Sequence, residues 1–352
     1  MSTQTALLQP VIDTALDKIW LSRCPVPTAS GLAYKLGWLD QEFAKSGISV
    51  GTLQERDSEK SGTLEQKNAL RAHHYDHELP GLFREGGNLL AIAARAQDAP
   101  TRLIGLTWID EGQSIIVRAD SGITEAKHLK GKRIALPQLV DYPVQKATRG
   151  RSIWRGMTLH GIKGALSYAG LTFDDVKFVE VKDGWAYEQL AAGLVDAVYV
   201  KGAAAQDKAK EYGLVVGIDI DGFPEKRFRV NNGTPRPITV HEDLIKNHFD
   251  VVVRYLYQTL RAAEWAKTNL DQIQKVLQGE TSGSASAVAA TYKNDFHLSL
   301  HPDLDNERIE LFRQQKDFLL LHGILDRDFD FDGWIDSRPL DEAKKLLAQD
   351  QK

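Results

Sequence analysis

The stretch "VRADSGITEAKHLKGKRIALP", from Val117 to Pro137, indicates how this chain folds. Apolar residues typical of a buried strand end at an acidic turn, and a short helical segment that carries Leu129 follows. The basic run after it leads into "KRIALP", a second strand-like segment. A strand, a turn, a helix and another strand in so short a space predict an α/β protein.

The same alternation continues on both sides of this stretch. Further strands are predicted at 104–108, 114–119, 177–181, 197–200 and 214–220. One helix is predicted to begin at Thr28 or Ser30, which suit an N-cap, and to end at Gly47. Apolar residues at helical spacing predict two more helices within 241–269, and the last third of the chain is expected to be mainly helical.

The composition of the 352 residues is that of a globular protein, with 42% hydrophobic and 26% charged residues. A formal net charge of −4 and the lack of a concentrated basic face argue against a nucleic-acid partner. No apolar run approaches the roughly 18 residues that cross a bilayer, so membrane insertion is not expected. Charged residues interrupt the N-terminal stretch where a signal peptide would lie, and we therefore expect a cytoplasmic protein.

The single cysteine, Cys24, stands in "SRCPVPTAS" between a strand-like stretch and the first predicted helix. Pro25 and Pro27 fix the backbone, which predicts a rigid connection into the helix N-terminus. Free N–H groups and the positive end of the helix dipole favour an anion or a thiolate there, and Arg23 is expected to add positive charge. The alternative is that Cys24 fills space in the core, as free cysteines often do.

A dense cluster of histidines lies within residues 71–88. We expect His74 to face the ligand and to act with Cys24 as an ion pair or as a general acid–base partner. His77 is a second candidate for ligand contact, and a purely structural role for these histidines is the alternative. No metal site is expected, because His73 and His74 would point apart and no second Cys/His group has zinc spacing.

Gly86 and Gly87 follow Arg84 in the same cluster. Two glycines permit positive φ and close approach of the backbone, so their N–H groups are expected to bind an anion. A turn or a helix C-cap is the alternative. The chain has neither a G-x-G-x-x-G nor a Walker pattern, and we expect no cofactor.

Residues 150–166, "GRSIWRGMTLHGIKGAL", begin a further amphipathic segment. Ser152 and Arg155 stand before the amphipathic part of this segment and are expected to face a ligand. The planar fork of arginine suits a sulfinate, sulfonate or carboxylate. Trp154 is a candidate for packing on the organic part of the ligand, although tryptophans are more often core residues.

Several segments resemble a known family. "SRCPVPTA" is similar to the nucleophile segment of the 2'-hydroxybiphenyl-2-sulfinate desulfinases, which carry a near-identical Ser-x-Cys-Pro-Val-Pro. Other segments resemble theirs in the same order, namely "HYDHELPGLFREGG", "TRLIGLTW", "DSGITEAKHLKGKRIAL", "LTFDDVKFVEV" and "GLVDAVYV". The desulfinases share the fold of the substrate-binding proteins of sulfonate, nitrate and taurine ABC transporters, and the turn at Val117–Pro137 resembles the crossover between the lobes of those proteins.

The resemblance implies a two-lobed, type II periplasmic-binding-protein-like fold with the ligand in the cleft between lobes. Lobe one is expected at 1–118 plus 221–352, and lobe two at 119–220. In that family the cysteine is essential, and a histidine and an arginine help to hold the sulfinate, so the resemblance implies Cys24 as the reactive group. A family tryptophan near the position of Trp154 packs on the aromatic substrate.

The family's Arg-Phe-Gly-Gly run aligns with "HYDHELP", which puts His74 at the position of the family arginine. The family histidine lies about ten residues earlier, in a segment that reads "GTLEQKN" here and has no histidine. Arg71 or Arg84 is then expected to supply the missing cation. We therefore expect a relative of the desulfinases that acts on a different substrate.

These observations predict a desulfinase-like hydrolase that cleaves the C–S bond of an organic sulfinate, or of a related sulfur oxyanion, through Cys24. The alternative is a non-catalytic binding protein for sulfonate- or taurine-like anions, which would act either with an ABC-transporter permease or as a cytoplasmic sensor. Both hypotheses imply a small anionic organosulfur ligand.

Overall fold

The computed structural model describes residues 16–24, 26–53, 72–138, 153–182, 184–293 and 295–350, without the side chains of residues 153 and 154. In these residues strands alternate with helices along most of the chain, as the sequence predicts. The strands are β1 (Lys18–Arg23), β2 (Ser49–Thr52), β3 (Leu82–Glu85), β4 (Thr101–Thr107), β5 (Ser114–Arg118), β6 (Arg133–Pro137), β7 (Lys177–Val181), β8 (Val198–Val200), β9 (Leu214–Asp219) and β10 (Arg236–His241).

The larger sheet of the described residues has the strand order β2-β1-β3-β10-β4. β1 runs parallel to β2 and β3, whereas β10 is antiparallel to β3 and β4. The carboxyl ends of β1 and β3 therefore lie at the same edge of the sheet, and the amino end of β10 joins them there. Cys24, Gly86 and Arg236 occupy this edge.

The other strands form smaller sheets. β5 pairs antiparallel with both β8 and β9, and β6 pairs in parallel with β7. A β-bridge between Ile134 of β6 and Ala197, next to β8, connects these two small sheets. Their side chains pack into apolar clusters separate from the one behind β1.

The helices of the described residues cover both groups of strands. They are α1 (Ala29–Lys35), α2 (Trp38–Ala44), α3 (Asn88–Ala96), α4 (Ile153–Tyr168), α5 (Ala186–Ala191), α6 (Ala203–Glu211), α7 (Glu242–Asn247), α8 (Phe249–Ala266), α9 (Leu270–Thr281), α10 (Ala285–Thr291), α11 (Asn306–Leu321) and α12 (Arg338–Asp350).

The longest helix, α8, anchors the larger sheet. It packs against α1 and α12, and its buried face includes Val252 and Leu256, which the surrounding core removes fully from solvent. Burying a side chain of this size contributes about 1.5–3 kcal/mol. Phe83 of β3 stacks on Tyr255 of α8 at a ring-centroid distance of 4.0 Å, which holds the strand on the helix.

The helix predicted from Thr28 to Gly47 is two helices. Thr28 caps α1 as expected, because its Oγ1 accepts the Gly31 N–H at 3.1 Å. Gly37 then takes a left-handed conformation with φ 72°, which ends one helix and begins the next. Among the described strands, β2, β3 and β10 were not predicted from the sequence.

Two crossovers connect the larger sheet with the β5–β8–β9 sheet. One runs from β4 to β5 and the other from β9 to β10. Asp221 of the second crossover accepts the backbone N–H groups of Gly112 (2.7 Å) and Gln113 (3.0 Å) of the first. The two crossovers are therefore fixed to each other at this point. The lobe boundaries at 118 and 221 stay a prediction.

Every described helix is too short or too polar to cross a membrane.

Candidate active site around Cys24

Cys24 follows β1 directly and is a half-buried free thiol. Its N–H donates to the carbonyl of Glu85 at the end of β3 (3.3 Å), and its carbonyl accepts the Val26 N–H (2.8 Å). α1 begins at Ala29, and the stiffness expected of the connection before it stays a prediction. Pro25 lies outside the described residues. The alternative of a thiol sealed in apolar core does not agree with this exposure.

Arg84 lies on β3, beside Cys24, and is only 1% exposed. Its Nε donates to the His74 carbonyl at 3.1 Å and its Nη2 to the Gly87 carbonyl at 3.2 Å. The third nitrogen, Nη1, is buried without a hydrogen-bond partner. Burial lowers the pKa of Arg84 to about 10, and the charge of Cys24 acts in the opposite direction.

Arg236 supplies a second buried guanidinium from the first position of β10. Its Nη2 donates to Oε1 of Glu111, while its Nε and Nη1 are buried without partners. Burial lowers the pKa of Arg236, but the charges of Glu111, Cys24 and Glu85 outweigh burial, and the pKa is raised overall. The Cys24 side chain is therefore close enough to interact with both guanidiniums.

Three buried guanidinium nitrogens of Arg84 and Arg236 make no hydrogen bond of good geometry to the described residues, although the Cys24 side chain also hydrogen-bonds to Arg236. Unpaired buried donors of charged groups are costly, so natural sites leave them open mainly where a ligand completes them. Arginine donors match the oxygens of planar or tetrahedral oxyanions. The arrangement is a binding site for an anion, next to a thiol.

Glu111 partly balances the positive charge. Its second oxygen lies 3.1 Å from the ammonium of Lys201, so one carboxylate serves two cations. Burial raises the pKa of Glu111, but Arg236 and Lys201 lower it further, and the net shift is downward. A Cβ atom on Gly233 would lie 2.2 Å from Glu111 Oε1, which explains the glycine at that position.

His74 is placed at the site, but in its neutral form. Its Nδ1 lies 2.6 Å from Ser22 Oγ. Burial, followed by the charges of Arg84 and Arg236, holds the pKa of His74 well below its usual range. The predicted ion pair with Cys24 is disfavoured for this reason, whereas a neutral hydrogen-bonding role agrees with the geometry.

His77 contacts the backbone of His74. Its Nε2 contacts the His74 carbonyl at 3.1 Å, the same carbonyl that Arg84 binds. His77 is buried, and burial lowers its pKa strongly. His73 instead pairs with Asp76 at 2.8 Å. Within the described ranges no group of three or more His, Cys, Asp or Glu side chains is arranged to hold a metal.

Gly86 and Gly87 act through close approach and not through positive φ. A Cβ atom on Gly86 would lie 2.9 Å from the guanidinium carbon of Arg84, and one on Gly87 would lie 2.4 Å from Nδ2 of Asn232. Neither glycine has a positive φ, and the Gly86 N–H donates to the Pro237 carbonyl at 3.4 Å. The expected anion nest is therefore wrong for Gly86, and Gly87 is the N-cap of α3.

The other arginines predicted for the site are bound elsewhere. Arg23 makes two hydrogen bonds to Glu280, at 2.8 and 2.6 Å, so its charge is neutralised within the protein. Arg155 donates to the Pro137 carbonyl (2.9 Å) and pairs with Glu180 (2.8 Å). Arg71, Ser152 and the side chain of Trp154 lie outside the described residues.

A cavity of about 270 Å³ lies next to the anion site. Its lining includes Lys201, which pairs with Glu111 of the anion site, and Asn232, whose Oδ1 accepts the Leu89 N–H at the start of α3. The remaining walls are mainly apolar and come from the β5–β8–β9 side of the molecule, with Met157, Tyr187, Val198 and Val200 among them. The space suits the organic part of a small anion.

Neither Arg236 nor Glu111 was predicted as a site residue, although the sequence around Arg236 contains one indication. Arg236 stands in "TPRPITV", where an arginine begins an otherwise apolar strand. A charged residue in such a pattern is either paired or functional when buried. Glu111 lies in a short polar turn that gives no comparable sign.

A family model described as NMT1/THI5 like matches residues 85–273, more than half of the chain. The chain belongs to the NMT1/THI5-like family. Arg236 and Glu111 lie within the matched range, and Cys24 lies before it.

This NMT1/THI5-like chain is also similar to curated proteins over nearly its whole length. A 2'-hydroxybiphenyl-2-sulfinate desulfinase of Rhodococcus erythropolis is 27% identical over 360 aligned positions, which cover 92% of this chain and 93% of the relative. The resemblance of the sequence to the desulfinases is confirmed.

Solved structures show that this member of the family has the periplasmic-binding-protein-like fold. A cysteine-to-serine mutant of the desulfurization enzyme DszB, in complex with biphenyl-2-sulfinic acid, matches with a TM-score of 0.74 and 22% identity over 94% of this chain and 99% of the enzyme. The periplasmic aliphatic sulphonate binding protein SsuA of Escherichia coli matches with a TM-score of 0.64 and 16% identity over 91% of this chain and 92% of SsuA.

Proposed function

We propose that this protein cleaves the C–S bond of an organic sulfinate by means of Cys24. The observation that carries the proposal is the set of three unpartnered, buried guanidinium nitrogens of Arg84 and Arg236 beside a half-buried thiol. A sulfinate brings two anionic oxygens for these donors and a sulfur atom for the thiol. The relationship to a sulfinate desulfinase supports this choice of anion.

The geometry favours a different alignment with the desulfinases from the one based on "HYDHELP". Arg84, Gly86 and Gly87 reproduce the arginine and both glycines of the Arg-Phe-Gly-Gly run at the same spacing. His74 then lies ten residues before the arginine, at the distance of the family histidine. In this alignment both holding groups are retained, and the difference from the family is Glu85 in place of phenylalanine.

The overall reaction is hydrolytic and needs no redox partner. The sulfinate R–SO₂⁻ and water give R–H and hydrogen sulfite, with the electron pair of the C–S bond passing to carbon and a proton joining it there. Arg84 and Arg236 hold the oxyanion throughout, so their positive charge is in place before negative charge moves. Neutral His74 adds a hydrogen-bonding group without adding a third charge.

Two routes lead to these products. In the first, the Cys24 thiolate attacks sulfur, the C–S pair leaves to carbon with a proton, and water hydrolyses the resulting Cys–S–SO₂⁻ adduct to thiol and hydrogen sulfite. In the second, the Cys24 thiol protonates the carbon, sulfur dioxide leaves, and water converts it to hydrogen sulfite while the thiolate regains its proton. Intact-protein mass spectrometry of a rapidly quenched reaction separates them, because only the first route makes the adduct.

The test is sulfite release from benzenesulfinate, biphenyl-2-sulfinate and methanesulfinate by the purified protein. We expect turnover with at least one of them, and Cys24→Ser should lower it more than about 1,000-fold. Calorimetry should show that Cys24→Ser changes the Kd of the same sulfinate by less than about threefold, because the arginines remain. No sulfite from any of the three, or undiminished turnover in Cys24→Ser, would contradict the proposal.

Sulfonate binding without catalysis is the second candidate, and the shared fold with SsuA favours it. The same two arginines would hold a sulfonate, Cys24 would only line the site, and delivery to an ABC-transporter permease would be the purpose. This candidate predicts tight binding of alkyl sulfonates, no sulfite release by the native protein and no loss of affinity in Cys24→Ser. Both candidates expect Cys24→Ser to keep its affinity, so sulfite release by the native protein decides between them.

A further inference from the structure

A second cavity, of about 500 Å³, lies between α4 and α11. Its walls include Lys163 and Leu166 of α4, Phe173, and Phe318 with Leu321 of α11 and His322 beyond it. We call this cavity the α4–α11 groove. It shares no lining residue with the cavity next to Cys24.

Aromatic rings form one wall of the α4–α11 groove and are held in place from behind. His160 stacks on Phe318 with a centroid distance of 4.4 Å and an interplanar angle of 17°. His322 lies 4.3 Å from the same ring, and Phe173 packs edge-on against both. A fixed aromatic wall of this kind suits a flat, aromatic ligand.

Lys163 gives the groove a positive charge. Its ammonium lies 5.3 Å from the Phe318 ring centroid, and burial alone accounts for the lowering of its pKa. Asp317, an acidic residue of the wall, pairs at 3.1 Å with Lys316, which also pairs with Asp328, and not with Lys163. An anionic group would therefore compensate Lys163 where the carboxylates of the described residues do not.

We propose that the α4–α11 groove is a second ligand site, which binds an aromatic monoanion with its ring against Phe173 and His322, in front of the buried Phe318, and with its charge on Lys163. Leu321 is 81% exposed at the rim. A side chain of that size gains most by being covered when a ligand enters. The site is separate from Cys24 and does not depend on the proposed desulfination.

The probe for the site is 6-bromo-2-naphthalenesulfonate, an aromatic anion whose bromine is visible by anomalous diffraction. In crystals of the native protein we expect a bromine peak between α4 and α11, whether or not the cleft at Cys24 also binds the probe. Titration calorimetry should show that Lys163→Met weakens this binding event at least about tenfold, because a charge-assisted contact is lost. Lys177→Met, an exposed lysine on β7, is the matched control and should leave it unchanged.

Leu321→Asp provides a second variant that is expected to fold, since Leu321 is exposed. It places a negative charge at the rim and should also weaken the probe about tenfold. The proposal is overturned if the bromine lies only elsewhere in the native protein. Equal affinities for the native protein, Lys163→Met and Leu321→Asp would overturn it as well.

Discussion

The Cys24 site and the pair of crossovers are two buried ionic regions with opposite imbalances. At Cys24, the guanidiniums of Arg84 and Arg236 together have three nitrogens without partners, although Glu111 and Lys201 are close. At the crossovers, one carboxylate oxygen each of Asp110 and Asp221 is buried without a partner, against one such guanidinium nitrogen, Nε of Arg229. Burial, with the charge of Asp110, raises the pKa of Asp221 to about 7.

The difference shows how each region relieves its excess charge. Arginine remains protonated at any physiological pH, so the excess at Cys24 is relieved only by an external anion. A carboxyl group binds a proton instead, and the crossover needs no ligand. Buried arginine donors without partners therefore indicate a ligand site. A buried aspartate without a partner indicates a carboxyl group that binds a proton.

Of the changes that test this comparison, the largest effect is expected from removing anion donors of Arg236. Arg236→Lys keeps a cation for Glu111 but removes the two nitrogens that have no partner. We expect kcat for sulfite release to fall about 100- to 1,000-fold, as when one donor of an oxyanion site is removed. Steady-state kinetics with a benzenesulfinate or biphenyl-2-sulfinate substrate measures it.

Arg229→Lys is the matched control, because Arg229 is a half-buried arginine that pairs with Asp110 (2.8 Å) in the crossover region. Arg229→Lys should leave kcat within about threefold of the native value, because Arg229 stabilises the crossover and does not bind the anion. A loss in Arg229→Lys as large as that in Arg236→Lys would show that general disruption, and not the loss of anion donors, explains the result.

The next largest effect is expected at Asp221, whose contribution to the free energy of unfolding depends on pH. Because the pKa of Asp221 is higher in the folded chain than the value of about 4 in the unfolded chain, the folded chain binds more protons between pH 4 and pH 7. The contribution of Asp221 to stability is therefore present at low pH and is lost as pH rises through about 7. Asp221→Asn should remove this loss.

We expect the free energy of unfolding of Asp221→Asn, relative to the native protein, to rise by about 2–3 kcal/mol between pH 5 and pH 8. Denaturant titrations at the two pH values measure it. The difference between the proteins reports Asp221 together with Asp110, which interacts with it, while groups distant from this pair cancel. A constant difference across this range would mean that Asp221 titrates at an ordinary pKa.

The smallest effect is expected for a charge that water screens. Asp219 lies two residues before Asp221 and pairs with Lys293 at 3.1 Å, with both side chains about half exposed. Asp219→Asn should change the free energy of unfolding by less than about 1 kcal/mol at either pH. An effect as large as that of Asp221→Asn would contradict the assignment of the pH dependence to burial.

Much of the fold could be predicted from local patterns. The strands from β4 to β9 have apolar runs bounded by turn residues, and they lie close to the predicted positions. β2 and β3 are short, and β10 begins with "RP", so none of the three has a clear strand pattern. The break at Gly37 was missed because its neighbours keep helical apolar spacing across it.

The site could be predicted only where the chemistry is local. Cys24 was found because a thiol followed by two prolines at the entry to a helix is an unusual combination within a few residues. Arg236 is brought to it by the pairing of β10 with β3, across more than 150 intervening residues, and no rule of spacing predicts such a contact. The engagement of Arg23 by Glu280 was hidden for the same reason.

The position of β10 has a consequence for how the protein becomes active during synthesis. β10 lies between β3 and β4, which come much earlier in the chain and do not pair with each other. A nascent chain that has left the ribosome only as far as β9 still lacks the strand that joins these two, and Arg236 with it. Thiol and anion donors therefore come together only after some two-thirds of the chain has been made.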